Sequence, residues 1–242
     1  MKKFIYSTIS CFLISIVMFS VSFAESDLLS KKTFPSTNIY SLHREENNDF
    51  LIDYLREFNN SAEKCYVYSS GKEVPASTKL KIEDMIKNKD YLSLKKYLNE
   101  NRISIGYTKR IVKRNNPLRA IPSENGSYTK YFYEIASGKV GGKTTYITKE
   151  WTTVLTGRFT IDSKGNILYT SGATIHADTN FGAAFAPYME DVYASASYRK
   201  PNTLICRGGY KLKSTIVIPI KDFGINIVMD FGSFYRNFEQ NV

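Results

Sequence analysis

The 242-residue chain holds only two imidazoles, His43 and His176. A Ser or Cys nucleophile worked by a general base would have to use one of them. His176-Ala177-Asp178 puts a His and an Asp on one face of a strand, where they can share a hydrogen bond. No Gly-x-Ser-x-Gly elbow accompanies them, and a surface His on a strand accounts for the pair equally well. Paired carboxylates for glycoside hydrolysis have no set spacing in sequence, so Glu134, Glu150 and Asp178 stand as candidates that nothing singles out. Gly138-Lys139-Val140-Gly141-Gly142-Lys143-Thr144 has the look of a phosphate-binding loop, but Ser137 stands where the pattern needs Gly. The residues after it, Thr145-Tyr146-Ile147-Thr148, read as strand rather than helix, so the segment is a glycine-rich hairpin turn. The acidic, His and Cys residues show no metal-ligand spacing, and Glu190-Asp191 is a lone acidic pair. The sequence therefore calls for no catalytic motif, no metal and no cofactor.

Two features of charge and sulfur remain. Between Glu100 and Glu124 lie Arg102, Lys109, Arg110, Lys113, Arg114 and Arg119 with no acid among them. On a strand, Lys109, Ile111 and Lys113 share one face and Arg110, Val112 and Arg114 the other. Such a ridge suits phosphate-rich wall polymers or lipid headgroups. It is also how an edge strand is kept soluble and unpaired, and that reading is the stronger of the two. Cys65 and Cys206 are the cysteines outside the N-terminal segment. They would close one long-loop disulfide or serve as two buried thiols, and the sequence does not separate these alternatives.

The positioning elements begin with export. Met1-Lys2-Lys3, a mostly apolar run from Phe4 to Phe19, and Ser22-Phe23-Ala24 have the layout of a secretory signal peptide cleaved after Ala24. The run is short for a membrane span. Cys11 lies inside it, too early for a lipoprotein box. Cleavage leaves 218 residues and lowers the net charge from +10 to +8, since Lys2 and Lys3 are lost with no acid. Residues 25–47 read as a flexible arm. A helical region follows over 48–101. Phe50, Leu51, Tyr54, Leu55 and Phe58 form one stripe with Asn47 or Asn48 as cap, then a short apolar piece runs from Cys65 to Tyr68. Two short helices come next, the first capped by Ser77 or Thr78 and the second by Asp90.

Residues 103–238 read as antiparallel β-structure. From Thr145 to Ile161 the positions Ile147, Trp151, Leu155, Phe159 and Ile161 share one face, and polar residues fill most of the other. Asp162 to Asn166 is a hairpin loop. Gly182 to Pro187 reads as a loop, and Gly208-Gly209 as a bulge or bend inside a second long hairpin that turns near Lys221-Asp222. The fold class expected is α+β: a small N-terminal helical region packed on an antiparallel β-sandwich or flattened barrel.

Trp151-Thr-Thr-Val-Leu-Thr-Gly-Arg-Phe-Thr-Ile-Asp162, Lys164-Gly-Asn166, Tyr193-Ala-Ser-Ala-Ser197 and Lys211-Leu-Lys-Ser-Thr-Ile-Val-Ile-Pro-Ile220 cover the last third of the chain. In these residues the chain resembles a loose group of short secreted proteins of Gram-positive bacteria. There a Trp-led strand ending in Thr-Gly-x-Phe-Thr precedes two hairpins, the second with a small hydrophobic tip. The resemblance implies an exported, bacterial, all-β domain and assigns no activity and no functional residue.

Export, positive charge and the want of a catalytic constellation lead to one expectation. The chain is a secreted or wall-associated, non-enzymatic protein that binds a cell-wall polymer or another anionic surface such as a membrane, and neither nucleotide nor DNA. The alternative is a secreted hydrolase of wall glycan or peptide. A membrane-active role drawn from the Gly182 to Pro187 segment is a weaker third reading, because that segment is short.

Overall fold

The computed structural model describes residues 39–114, 123–182, 184–220 and 223–242, with the side chains of 39–49, 112–114, 217–220 and 223–224 left aside. The expected signal peptide, most of the expected arm and Arg119 therefore lie outside the described residues. The elements in chain order are α1 (Ile39–Asn60), β1 (Lys64–Tyr68), α2 (Ala76–Lys87), α3 (Tyr91–Asn101), β2 (Ile103–Arg114), β3 (Glu124–Val140), β4 (Lys143–Ile161), β5 (Ile167–Thr179), β6 (Phe185–Arg199), β7 (Thr203–Ile220) and β8 (Phe223–Asn241).

The helical layer follows from local rules. In α1 the stripe Leu51, Tyr54, Leu55 and Phe58 is buried at spacings of three and four. The helix starts at Ile39, inside the segment expected to be an arm, so Asn47 and Asn48 are helix-interior residues and not caps. That first part carries no apolar period of its own and is a continuation of the packed half. Helix α2 opens after Pro75, not at Ser77 or Thr78, since proline is well placed just before a first turn. Asp90 caps α3 by accepting from Ser93 N at 3.2 Å, and Arg102 ends it in the left-handed region at φ 52°.

The strands form one sheet that is not closed, and every pairing among the described residues is antiparallel. Its order is β1-β2-β3-β8-β7-β6, with β4 and β5 branching from the other side of β3. Strand β2 pairs with β3 from Ile105↔Tyr133 to Arg114↔Glu124. Beyond Tyr133 that side of β3 is vacated, and β8 takes it at one point, Lys139↔Asp230. This point joins the two arms of the sheet, β1–β5 and β6–β8.

Two cores result, and β2–β3 is the wall between them. On one side Ile103, Ile105, Tyr107, Tyr133 and Ile135 pack against Leu51, Tyr54, Phe58, Ile82, Leu94 and Leu98 of the helices. On the other, Phe132 and Ala136 join Trp151, Leu155 and Phe159 of β4, Cys206, Tyr210 and Leu212 of β7, and Phe231, Phe234 and Phe238 of β8. The Tyr54 hydroxyl ties α1 to the wall by donating to the carbonyls of Ile105 and Tyr131, at 2.8 and 2.9 Å. Gly182 lies in a connection as expected, but Phe185 to Pro187 already belong to β6, paired with Ile216 to Ser214. The irregularity expected at Gly208-Gly209 is carried by the partner strand, between Glu190 and Tyr193, with Asp191 at φ 51°. The two glycines serve close approach instead: a Cβ on Gly208 would press on Ile175 and Leu155, and one on Gly209 on Tyr193 and Tyr235.

Candidate functional site

The three candidate carboxylates do not converge. Glu134 stands opposite Trp151 in the β3–β4 ladder and shares its face, whereas Glu150, one residue before Trp151, falls on the other face. Glu134 is consumed by Arg236 of β8. Arg236 Nε donates to Oε1 at 2.8 Å and Nη2 to Oε2 at 2.6 Å, with side-chain exposures of 0% and 1%. Ser104 Oγ donates to the same Oε2 and accepts from Nη2. Arg236 Nη1 donates to the Tyr235 carbonyl at 2.6 Å and to the Tyr68 carbonyl at 3.2 Å. The guanidinium lies over the rings of Phe132 and Phe234. All its polar atoms are engaged, as a buried charge requires.

Glu150 faces the helices. It accepts from Lys95 Nζ and from the Tyr133 hydroxyl, both at 2.6 Å, and so anchors α3 to the sheet. Asp178 and His176 do come together, at 3.4 Å, but both are more than half exposed. Among the described residues no group of three or more His, Cys, Asp or Glu is gathered for a metal. The side chain of His43 is outside the description.

Cys65 and Cys206 are both free thiols. Each fills the space of a missing side chain. A Cβ on Gly106 would run into Cys65 Sγ, and one on Gly157 into Cys206 Sγ. Burial pushes the Cys65 thiol up and the Cys206 thiol up to about 12, which favours the inert neutral form of both. The glycine-rich segment is a hairpin turn between β3 and β4, with Gly141 and Gly142 at φ +57° and +81°.

The basic stretch falls apart into a patch and an outlier. Arg102 is the end of α3, its carbonyl accepts from Ser69 N at 2.8 Å, and its side chain lies against Gly232. Lys109 to Arg114 are different. The β1 ladder stops at Lys64↔Tyr107, so from Lys109 onward β2 pairs with β3 alone among the described residues. Lys109 Nζ lies over the rings of Tyr107 and Tyr131, 5.6 and 5.7 Å from their centroids, and those rings stack at 5.1 Å. It also meets Glu57 of α1 at 2.5 Å, a half-exposed pair. That hydrogen bond raises the Lys109 pKa and lowers the Glu57 one. Arg110, on the opposite face, lies over Tyr128. Nearby, Lys130 lies over Phe238. The side chains of Lys113 and Arg114 and the whole of Arg119 lie outside the description.

The tyrosines under this edge support the basic side chains from below, Tyr107 and Tyr128 buried on opposite faces of the sheet and Tyr131 half-buried, and charge counting alone does not find them. The signal was the recurrence of Tyr107, Tyr128 and Tyr131 on two strands that the sequence leaves unpaired until their register is known. Comparison with family models, curated proteins and solved structures finds no match.

Proposed function

We propose that this chain is an exported, non-enzymatic protein that binds an anionic polymer of the cell surface along the free edge of β2. The observation that carries the reading is the run Lys109 to Arg114, paired on one side alone among the described residues, with Lys109 over Tyr107 and Tyr131 and Arg110 over Tyr128 on the opposite face. A strand edge supplies backbone donors, and its lysines and arginines supply charge, with the rings beneath them holding Lys109 and Arg110 in place. The Lys109–Glu57 pair does not oppose this, because an exposed ion pair is weak and readily exchanged for a phosphate. The engagement of Glu134 by Arg236, and of Glu150 by Lys95 and Tyr133, favours binding over hydrolysis. The N-terminal pattern of Met1 to Ala24 supports export.

We infer further that the two arms of the sheet form an open β-sandwich. Trp151 of β4 donates to Tyr210 of β7 at 2.8 Å, and Leu155 and Phe159 lie in one core with Leu204, Cys206 and Phe234.

The test is titration of the chain from Glu25 with purified teichoic acid at rising salt. Affinity falls as screening increases. Reversal of Lys109, Arg110, Lys113 and Arg114 to Glu abolishes binding with little change in thermal midpoint. Binding that ignores salt and survives the four substitutions removes β2 from the account.

A further inference from the structure

Gly209 of β7 lies between two tyrosines. The register pairs it with Tyr193 of β6 on one side and Tyr235 of β8 on the other. Even positions of β7 and β8 face the core, where Cys206, Tyr210, Phe234 and Phe238 are buried, so this row lies on the outer face. A Cβ on Gly209 would stand 2.7 Å from Tyr193 Cε1 and 2.9 Å from Tyr235 Cδ1. Both rings therefore lean across the middle strand and meet above it instead of rising from the sheet. Gly209 is buried beneath them, yet Tyr193 stays 50% and Tyr235 47% exposed. The result is an aromatic floor over three strands, about 10 Å from the outer Cα to the outer Cα.

Covering a strand glycine accounts for the inner side of each ring. It does not account for the next row. There Ser195, Arg207 and Asn237 stand in register, all three exposed. Other charges on β6–β8 are matched: Lys213 with Glu190 at 2.6 Å, Lys211 with Asp230 at 3.1 Å and Arg199 with Glu239 at 2.7 Å. Arg207 has no acid and no hydrogen-bond partner among the described residues. The exposed Asp191 lies in the β6 bulge, on the other side of the Tyr193 row. A free guanidinium offers a fork that fits a carboxylate. Asn237 and Ser195 offer both donors and acceptors. Flat tyrosine faces suit the C–H side of a pyranose ring. An acidic sugar supplies all three partners at once. Single-stranded nucleic acid also stacks on tyrosines, but it needs a continuous basic track, and here the neighbouring lysines are already paired.

We infer that the outer face of β6–β8 around Gly209 is a platform for a glycan whose sugar rings carry carboxylates. Two successive sugars stack on Tyr193 and Tyr235, and a carboxylate takes the Arg207 fork. The platform lies on other strands than the basic edge, and the inference does not rest on the reading of β2.

The probe is a hexasaccharide of alternating glucuronate and N-acetylglucosamine, with the uncharged chitohexaose as reference, each titrated into the chain from Glu25. The acidic hexasaccharide binds about tenfold more tightly, the worth of one charge-assisted contact. Arg207→Gln removes that preference and leaves chitohexaose unaffected. Tyr193→Ala with Tyr235→Ala weakens both ligands about a hundredfold, and phenylalanine at both positions retains them. The phenylalanine pair and Arg207→Gln keep the native thermal midpoint. Emission of a Tyr235→Trp variant shifts on adding the acidic hexasaccharide. Reversal of Lys109, Arg110, Lys113 and Arg114 to Glu leaves this binding in place, so the platform and the β2 edge fail separately. No binding of either hexasaccharide, equal binding by the alanine pair, or a preference that survives Arg207→Gln overturns the inference. So does loss of binding on reversing β2, or tighter binding of oligothymidylate in the same site.

Discussion

Arg236 and Glu134 lie within one position of where the β3–β8 ladder would have paired them had it continued past Lys139↔Asp230. The two arms of the sheet separate at that point, and a bidentate ion pair stands in the fork in place of backbone hydrogen bonds.

Removing one partner leaves the other charged and buried. Arg236→Met alone, or Glu134→Leu alone, should cost about 3–5 kcal/mol in urea unfolding. The double variant should recover most of that loss, because no stranded charge remains. Single variants with near-native stability would show that the fork is hydrated.

Trp151 is fully buried, its rim meets Phe181, Phe231 and Phe234, and its indole N–H donates to Tyr210. Trp151→Ala should cost about 3–5 kcal/mol. Tyr210→Phe strands the indole donor and the Thr153 hydroxyl partner and should cost about 1–3 kcal/mol. Native emission is expected to be blue-shifted and resistant to iodide. A red-shifted, freely quenched band would contradict the placement.

Gly157 and Cys206 share one volume. Gly157→Ala would press on Cys206 Sγ and should cost about 1–3 kcal/mol. Cys206→Ala in the same chain should restore part of it, and thermal midpoints of the three variants measure the coupling. Additive losses would place the thiol elsewhere.

Burial raises Tyr54, Tyr133 and Tyr210 well above the ordinary phenol value and Cys206 to about 12. These groups hold their protons longer folded than unfolded. Stability they confer is complete below the unfolded values and is lost as pH rises through the thiol and phenol range toward the folded ones. Urea midpoints should therefore hold from pH 7 to about 8.5 and decline steadily above it. A flat profile to pH 11 would mean these groups ionise without unfolding.

Much of this was readable from periodicity. The α1 stripe, the inward face of β4 with Trp151, the Asp90 cap and both long hairpins are set by patterns within a few residues of each other. What escaped is non-local. Glu134 looked like a candidate acid because its partner is 102 positions away on β8. Arg102 looked like part of a ridge because strand ends and helix ends are alike in a list of charges, yet only Lys109 to Arg114 lie on the free edge. The early start of α1 at Ile39 has no apolar period to announce it.

The wall of β2 and β3 also dictates an order of assembly. The helices leave synthesis first, but Leu51, Tyr54, Leu94 and Leu98 have nothing to bury against until both strands exist. The far side of that wall is finished only by Phe234, Arg236 and Phe238, in the last strand of the chain. Contacts spanning 102 to 168 residues make for slow, late folding. A chain built this way keeps both faces of that wall unlocked until β8 has been made.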